Sequence, residues 1–322
     1  MIEVLACGPL TTVQDDGRPG HLAQGLARGG AADPAARIEA RALLDDIGAG
    51  IETAGAPLTL RFEVSTVVAL TGAAMKAECD GTVLGWHAAH PLPEGAVLTL
   101  RPMGPGVYSY VHARGGLATP ELLGSRSMHL IAGIGAPLQA GDRLPCEATT
   151  GHALRIAPVD RFGGGLLRLV PTPQTALFPE AERQRFTETT FTRDPRGNRQ
   201  GVRLAQKGEG FATEGQLNLL SDFILPGDVQ MTGEGVPYIL GPECQTMGGY
   251  PRIGSVIGAD LPRAMQAAPG DTLRFAFVTA AEAAALRPPR LRTERSVRSP
   301  SEVPDLMGLQ LVGGVVSAKG DE

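Results

Sequence analysis

The sequence predicts a mainly β fold with a few short helices, and three observations carry that reading. Glycine (43) and proline (26) make up about a fifth of the 322 residues, and both punctuate turns and interrupt helices. Short runs of β character alternate with turn residues along most of the chain, the spacing of barrels and sandwiches. Only two stretches read convincingly as helices. A hydrophobic share of 43% and a charged share of 20% describe a globular chain able to bury a substantial core in one or two domains.

Taken in order, the opening MIEVLACGPLTTVQDDG reads as a first strand and turn. Asp33 can cap, and Pro34 can open, a helix running through AARIEARALLDD to Gly48. Strands are expected at LTLRFE (58–63), TVVALTG (66–72), AVLTLRP (96–102) and GVYSYVHAR (106–114). A second helix follows Asp260 through LPRAMQAA and is ended by Pro269 and Gly270. AAEAAALR, 280–287, is a third and short one. A tight Gly turn feeding a strand recurs at 94–98, 140–144 and 269–273, which points to more than one barrel-like unit.

The polar, Gly-bearing stretch 150–165 separates an N-terminal β-rich lobe (1–158) from a C-terminal lobe (159–286). The tail, 287–322, begins rich in Arg, Pro and Ser and is expected to be an extended arm or partly disordered. Its apolar end, LMGLQLVGGVVSA, is expected to pack on the body or on a partner protein.

Composition excludes several classes of function. The 29 basic residues are nearly matched by 34 acidic ones, so no cationic surface is implied for a phosphate backbone, and nucleic-acid binding is not expected. No run approaches the roughly 18 apolar residues of a membrane helix, and the N-terminus lacks the pattern of a signal peptide. A cytoplasmic protein without membrane contact is the expectation. Cys7, Cys79, Cys146 and Cys244 lie far apart, and the six histidines form no HxH or HExxH pair. Neither a disulfide framework nor a metal site is expected.

The densest polar and glycine constellation is Gln245-Thr246-Met247-Gly248-Gly249-Tyr250-Pro251-Arg252. Paired glycines let a backbone approach a ligand closely, and Gln245, Thr246, Tyr250 and Arg252 offer amide, hydroxyl and guanidinium groups suited to an amide or carboxylate. A Gly-Gly hairpin with a buried Tyr is the other reading. Gln230, after Pro226-Gly227-Asp228, can reach the same surface or simply start a strand. Near the N-terminus, Gln14, Asp15 and Arg18 crowd two glycines, as a positioned carboxylate or a solvated turn with an internal ion pair. Ser125, Arg126 and Ser127 present two hydroxyls about a guanidinium, fit for a carboxylate or phosphate oxygen. The spacing is not GxSxG, which excludes a nucleophile elbow. GxxxxGK[ST] is also absent, so nucleotide is not expected on a P-loop of this chain.

The order of these motifs resembles one family. IEVLxxGPLTTVQDDGRPG, GGAADPAAR, APLTLRF, RGGL, LLGSRS, LPGDVQ, ECQTMGGYPRIGSVIGADL and PGDTLRF, spanning roughly residues 1–278, are together similar to the family of 5-oxoprolinase C subunits, which is also described as biotin-dependent carboxyltransferase-like and related to urea amidolyase. The resemblance implies two cyclophilin-like β-barrel lobes. It implies a protein that works with B-like and A-like partners to convert 5-oxo-L-proline to L-glutamate, using ATP with Mg2+ in the assembled complex. No biotin is expected on this chain. The family's motif residues fall on Gln14, Asp15, Arg18, Asp33, Ser125, Arg126, Gln230, Gln245, Thr246, Gly248, Gly249 and Tyr250. By that resemblance Asp15, Arg18, Gln245 and Tyr250 are expected to be catalytic and the others to bind substrate. Arg18 or Arg126 would take the substrate carboxylate, the backbone of Gly248 and Gly249 would donate to an oxyanion, and Asp15 would orient a neighbour or accept a proton.

The chain departs from the family's habit at Gly29–Asp33, where a serine hydroxyl is missing, in the short turn Asp45–Gly48, and at Glu243, one methylene longer than the usual Asp. Two other roles follow from the same resemblance: a carboxyltransferase component of a urea carboxylase-like biotin enzyme, or a non-catalytic regulator of a B-type, kinase-inhibitor-like partner.

Overall fold

A computed structural model of the chain describes residues 1–213, 219–286 and 291–295. Among the described residues the chain folds into two large β-sheets, a closed barrel and a two-stranded ribbon, with four short α-helices. The first sheet has six strands in the order Arg143–Leu144, Ile2–Cys7, Leu58–Phe62, Val97–Pro102, Met75–Cys79 and Thr82–Leu84. The second has seven: Thr12–Gln14, Gly50–Ala54, Tyr108–Ala113, Thr66–Gly72, Ala88–Leu92, Leu154–Ile156 and Thr293–Arg295. Their inner faces bury one core, with Val4, Leu58, Leu60 and Leu98 from the first sheet and Ile51, Val68, Leu70 and Val111 from the second.

Thr66–Gly72 is buried at every position, which is why its sequence does not alternate. Val68 and Leu70 face the sheet-to-sheet core, while Val67 and Ala69 pack under Ala40, Leu43 and Leu44 of the helix Pro34–Leu44. That helix begins as expected: Pro34 opens it, and the Asp33 carboxylate accepts from the N–H groups of Ala35 and Ala36. It ends four residues before Gly48. Asp45 takes a positive φ of 63° and returns its N–H to Arg41, so the turn is made by Asp45 and Gly48 is left to the following loop.

The three recurrent turns behave alike. Gly95, Gly141 and Gly270 all lie at left-handed φ, a conformation that side chains disfavour, and each leads directly into a strand. The last of these strands, Thr272–Phe277, closes the seven-stranded barrel by pairing in parallel with Gly165–Val170 and antiparallel with Phe191–Arg193. The barrel core does not stop at the lobe boundary. Tyr108 and Tyr110 from the second sheet join Leu167, Phe186, Val229, Ile253 and Phe275 in one apolar cluster.

The helices Leu261–Gln266 and Ala280–Ala285 lie where the sequence predicts them. The helix Glu180–Glu188 is one the sequence does not announce. Of the tail, residues 291–295 contribute the edge strand that pairs with Leu154–Ile156; the remainder, including the apolar end, lies outside the described residues. No described helix is long and apolar enough to cross a membrane.

One buried group makes stability depend on pH. His112 is fully buried, stacks on Tyr110 with ring centroids 5.9 Å apart, and has no hydrogen-bond partner at either ring nitrogen. Burial, joined by Arg37 and Arg41 against the pull of Asp16, pushes its pKa down to about 3. The unfolded imidazole titrates near 6.5. Between those values the unfolded chain binds a proton that the folded chain refuses, so this contribution is complete above about pH 6.5 and is lost as pH falls toward 3. The unfolding free energy from urea denaturation is expected to drop between pH 8 and pH 5, by up to ~1.4 kcal/mol per pH unit below 6.5. The variant His112→Phe should flatten that slope, and an unchanged slope would assign the effect to other groups.

Candidate functional site

The N-terminal motif folds into a tight polar knot. The Asp15 carboxylate accepts from the hydroxyls of Ser125 (2.6 Å) and Ser127 and from the N–H groups of Arg126 (2.7 Å) and Gly17 (2.8 Å). Burial pushes its pKa up, but these donors outweigh it and hold the carboxyl below its ordinary value. With four donors, Asp15 orders the 125–127 loop. Gly17 and Gly30 make the knot possible, since a Cβ on Gly17 would lie 2.5 Å from the Arg28 carbonyl and one on Gly30 would lie 2.8 Å from the Gly17 nitrogen.

Arg18 is buried in the same knot. Its Nε and Nη2 donate to the carbonyls of Leu122, Ser125 and Ser127, and Nη1 has no partner. Arg126 donates to the Thr119 carbonyl and lies 3.7 Å from Glu121. Both guanidiniums therefore brace backbone around a cavity of about 270 Å³ lined by Arg18, Ser125, Arg126, Met128 and Ile134. Gln14 is buried, its amide N–H donating to Thr12 (3.0 Å) and to the Met128 carbonyl (3.1 Å). Asp33 is fully buried as the helix cap, with Oδ2 accepting from Arg161 (2.6 Å) and Gln266 (2.8 Å). Its carboxylate joins the two lobes and leaves no open face for a ligand.

The second group meets at the barrel mouth, in a cavity of about 290 Å³. Gln230, Gln245 and Tyr250, all singled out in the sequence, line it together with Asn198 and Gln200. Four carboxamides thus surround one cavity, with Ile224, Leu240 and Cys244 as apolar wall. The Gln230 amide nitrogen is buried and has no partner. It lies 2.8 Å from where a Cβ on Gly248 would stand, so the role of Gly248 is to leave room for that amide. Gly249 is exposed and Thr246 half-buried; the Thr246 carbonyl accepts from Ile224, and neither residue lines the cavity. Arg252 is held by Asp228 at 3.1 Å, by Asp222, and by the Phe223 carbonyl, which anchors the ribbon Asp222–Phe223/Met247–Gly248 beside the mouth. Burial pushes the Cys244 thiol up to about 12, with Asp228 adding to it, so it is no ready nucleophile.

The N-terminal motif and the Gln245–Arg252 stretch therefore line two cavities that share no lining residue. They are joined through the segment Pro242–Cys244. The Pro242 carbonyl accepts from Gly29 (3.0 Å), the Glu243 carboxylate accepts from Leu130 (3.1 Å) and Arg199, and Cys244 reaches the barrel-mouth cavity. Sequence reasoning missed Asn198 and Gln200; the turn-rich run Asp194–Gly201 was the available signal. It also passed over Glu52 and Arg199, charged residues buried between the lobes.

Comparison with known proteins places this architecture. The chain is 34% identical over 292 residues to the C subunit of 5-oxoprolinase from Escherichia coli K12, covering 88% of this chain and 93% of that one. It is 31% identical over 297 residues to the C subunit of 5-oxoprolinase from Haemophilus influenzae, covering 89% and 94%. Among solved structures, TTHA0988 superposes with a TM-score of 0.76 at 30% identity; the match covers 85% of this chain and 56% of that chain, so this chain spans about half its length. The urea amidolyase of Kluyveromyces lactis shares the fold, with a TM-score of 0.79 at 24% identity over 88% of this chain and 19% of that one. The profile of the carboxyltransferase domain, subdomain A and B, matches residues 24–277. The chain belongs to that carboxyltransferase-domain family.

Proposed function

We propose that this chain is the C subunit of an ATP-dependent 5-oxoprolinase and that its barrel-mouth cavity receives the lactam of 5-oxo-L-proline. The observation that carries the proposal is the ring of four carboxamides, Asn198, Gln200, Gln230 and Gln245, with an unpartnered donor at Gln230 Nε2. A cis-amide offers one carbonyl acceptor and one N–H donor side by side, and carboxamides complement both; the one charged side chain on the lining, Arg196, is paired with Asp194 at 2.9 Å. In this reading Gln230 donates to the lactam carbonyl, Gln245 and Tyr250 orient the ring from the rim, and the Asp15–Arg18–Ser125 knot holds the neighbouring loop in place. The names borne by the two bacterial relatives support it.

Hydrolysis is then a property of the complex. Leu220, Phe223, Leu225, Met247 and Tyr250 are exposed around the ribbon at the cavity mouth, an apolar rim of the kind partner proteins cover. In this reading ATP, with its Mg2+, is bound in the assembly with A-like and B-like partners.

Reconstitution with those partners and ATP should release glutamate from 5-oxo-L-proline, while this chain alone should not. Gln230→Ala and Gln245→Ala should each lower kcat/KM of the complex by about tenfold, the worth of one hydrogen bond, with thermal unfolding unchanged. No glutamate from the complete mixture would sink the proposal. The shared fold with urea amidolyase favours a second reading, in which the same cavity takes urea as a carboxyl acceptor; carboxylation that depends on a separate biotin carrier would establish it.

A further inference from the structure

Glu243 lies at the junction of the two lobes and is 1% exposed. Its Oε1 accepts from Arg199 Nε at 2.5 Å, and its Oε2 accepts from the N–H groups of Leu130 (3.1 Å) and Ile131 (3.4 Å). Arg199 gives its other two nitrogens to Glu52 and to the Gly30 carbonyl. The backbones are tied as well, with the Glu243 N–H donating to the Arg199 carbonyl (3.0 Å) and the Gly241 N–H donating to the Gln200 carbonyl (2.8 Å).

The neighbours of this pair give it a further meaning. Asn198 and Gln200 flank Arg199 and line one wall of the barrel-mouth cavity; Cys244 and Gln245 follow Glu243 and line another. One buried ion pair therefore clamps both walls from beneath. The same carboxylate holds Leu130 and Ile131, which lie three and four residues beyond the end of the 125–127 loop that Asp15 orders.

We propose that Glu243 is a positioning residue: through Arg199 it sets the spacing of the two carboxamide-bearing walls, and through Leu130 and Ile131 it transmits the order of the N-terminal loop to that spacing. Neither isosteric loss of charge nor a shorter carboxylate preserves this. Glu243→Gln keeps the reach but loses the charge that holds Arg199. Glu243→Asp keeps the charge but lacks the methylene needed to meet Arg199 and the Leu130 N–H together.

The effect on substrate rests on the reading of this cavity as the lactam site; the effect on the cavity does not, and the test separates them. Cys244 lines the cavity, and Cys79 is a buried thiol of the N-terminal lobe, so alkylation of each by iodoacetamide, followed peptide by peptide in the full-length protein, reports local opening against global loosening. Glu243→Gln should speed alkylation of Cys244 by about tenfold and leave Cys79 unchanged. Asp15→Asn, acting from the other lobe, should speed Cys244 in the same direction but less. Unchanged Cys244 in Glu243→Gln, unchanged Cys244 in Asp15→Asn, or a parallel rise at Cys79 overturns the proposal. Should Glu243→Gln fail to fold, Glu243→Asp carries the same comparison. In the reconstituted complex Glu243→Asp should raise KM for 5-oxo-L-proline more than it lowers kcat. If the wild-type complex does not turn over 5-oxo-L-proline, the lactam reading fails while the alkylation result still decides the role of Glu243.

Discussion

Replacing Arg199 with alanine is expected to lower the unfolding free energy by about 3–5 kcal/mol, the cost of stranding buried charge. Arg199 bridges Glu52 and Glu243, both buried, and also donates to the Gly30 carbonyl. Burial alone would draw its pKa down, yet the two carboxylates more than offset that and hold the guanidinium charged, above its ordinary range. Glu52 has other work to do, since its Oε2 accepts from the Tyr110 hydroxyl (2.7 Å) and the Ala32 N–H (2.8 Å). Without Arg199 both carboxylates remain, far from water and without the guanidinium that joins them. Urea denaturation measures the loss, and a loss below about 1 kcal/mol, the worth of an exposed pair, would show the cluster to be solvated. Adding Glu52→Gln to Arg199→Ala should recover part of the loss, because it removes one of the stranded charges; simple additivity of the two changes would contradict the coupling.

Phe186→Ala is expected to cost a similar amount, about 3–5 kcal/mol, by emptying the centre of an aromatic cluster. The Phe186 ring lies 4.8 Å from that of Phe275, 5.0 Å from that of Phe191 and 5.3 Å from that of Phe211, centroid to centroid, and is fully buried. Its helix, Glu180–Glu188, packs on the barrel through this residue; no other member of the helix is buried. Because the barrel core continues into Tyr108 and Tyr110 of the second sheet, the damage should be felt across the chain. Fluorescence of Trp86, the single tryptophan, which sits in the N-terminal lobe, should follow the same unfolding transition as circular dichroism. Two separated transitions would show the lobes to be independent units.

That helix also shows what the sequence conceals. EAERQRFTE has one apolar side chain besides a single alanine in nine residues, so it carries no apolar period, and only the aromatic pocket awaiting Phe186 gives it a reason to dock. Thr66–Gly72, Pro34–Leu44 and the turns at Gly95, Gly141 and Gly270 were readable because their signals are local: a continuous apolar run, a cap followed by proline, a glycine at left-handed φ. Sheet order is not local, and nothing in the strands announces which neighbour each will take.

The site divides in the same way. The QTMGGYP motif and Gln230 led to the barrel-mouth cavity, where Gln230, Gln245 and Tyr250 stand. Arg18, Gln14 and Asp33 looked equally suited to a ligand, yet Asp33 gives its whole carboxylate to the protein itself, and Arg18 and Gln14 give it all their polar side-chain atoms but Nη1 and Oε1. A charged residue beside a glycine reads the same whether its partner is a substrate or a carbonyl from a distant loop, and only the fold distinguishes them. Asn198 and Gln200 illustrate the converse, ordinary turn residues until the barrel closes around them.

The barrel's seam is formed by its own first and last staves, Gly165–Val170 and Thr272–Phe277, lying side by side. A nascent chain that has left the ribosome only as far as Gly270 holds six staves with an open edge on each side, and open edges invite pairing with other chains. Tyr108 and Tyr110, made much earlier, have until then no finished wall to lean on. Completion of the barrel is thus concentrated in its last strand, and the interval before that strand arrives is when the chain stands most in need of shelter from its neighbours.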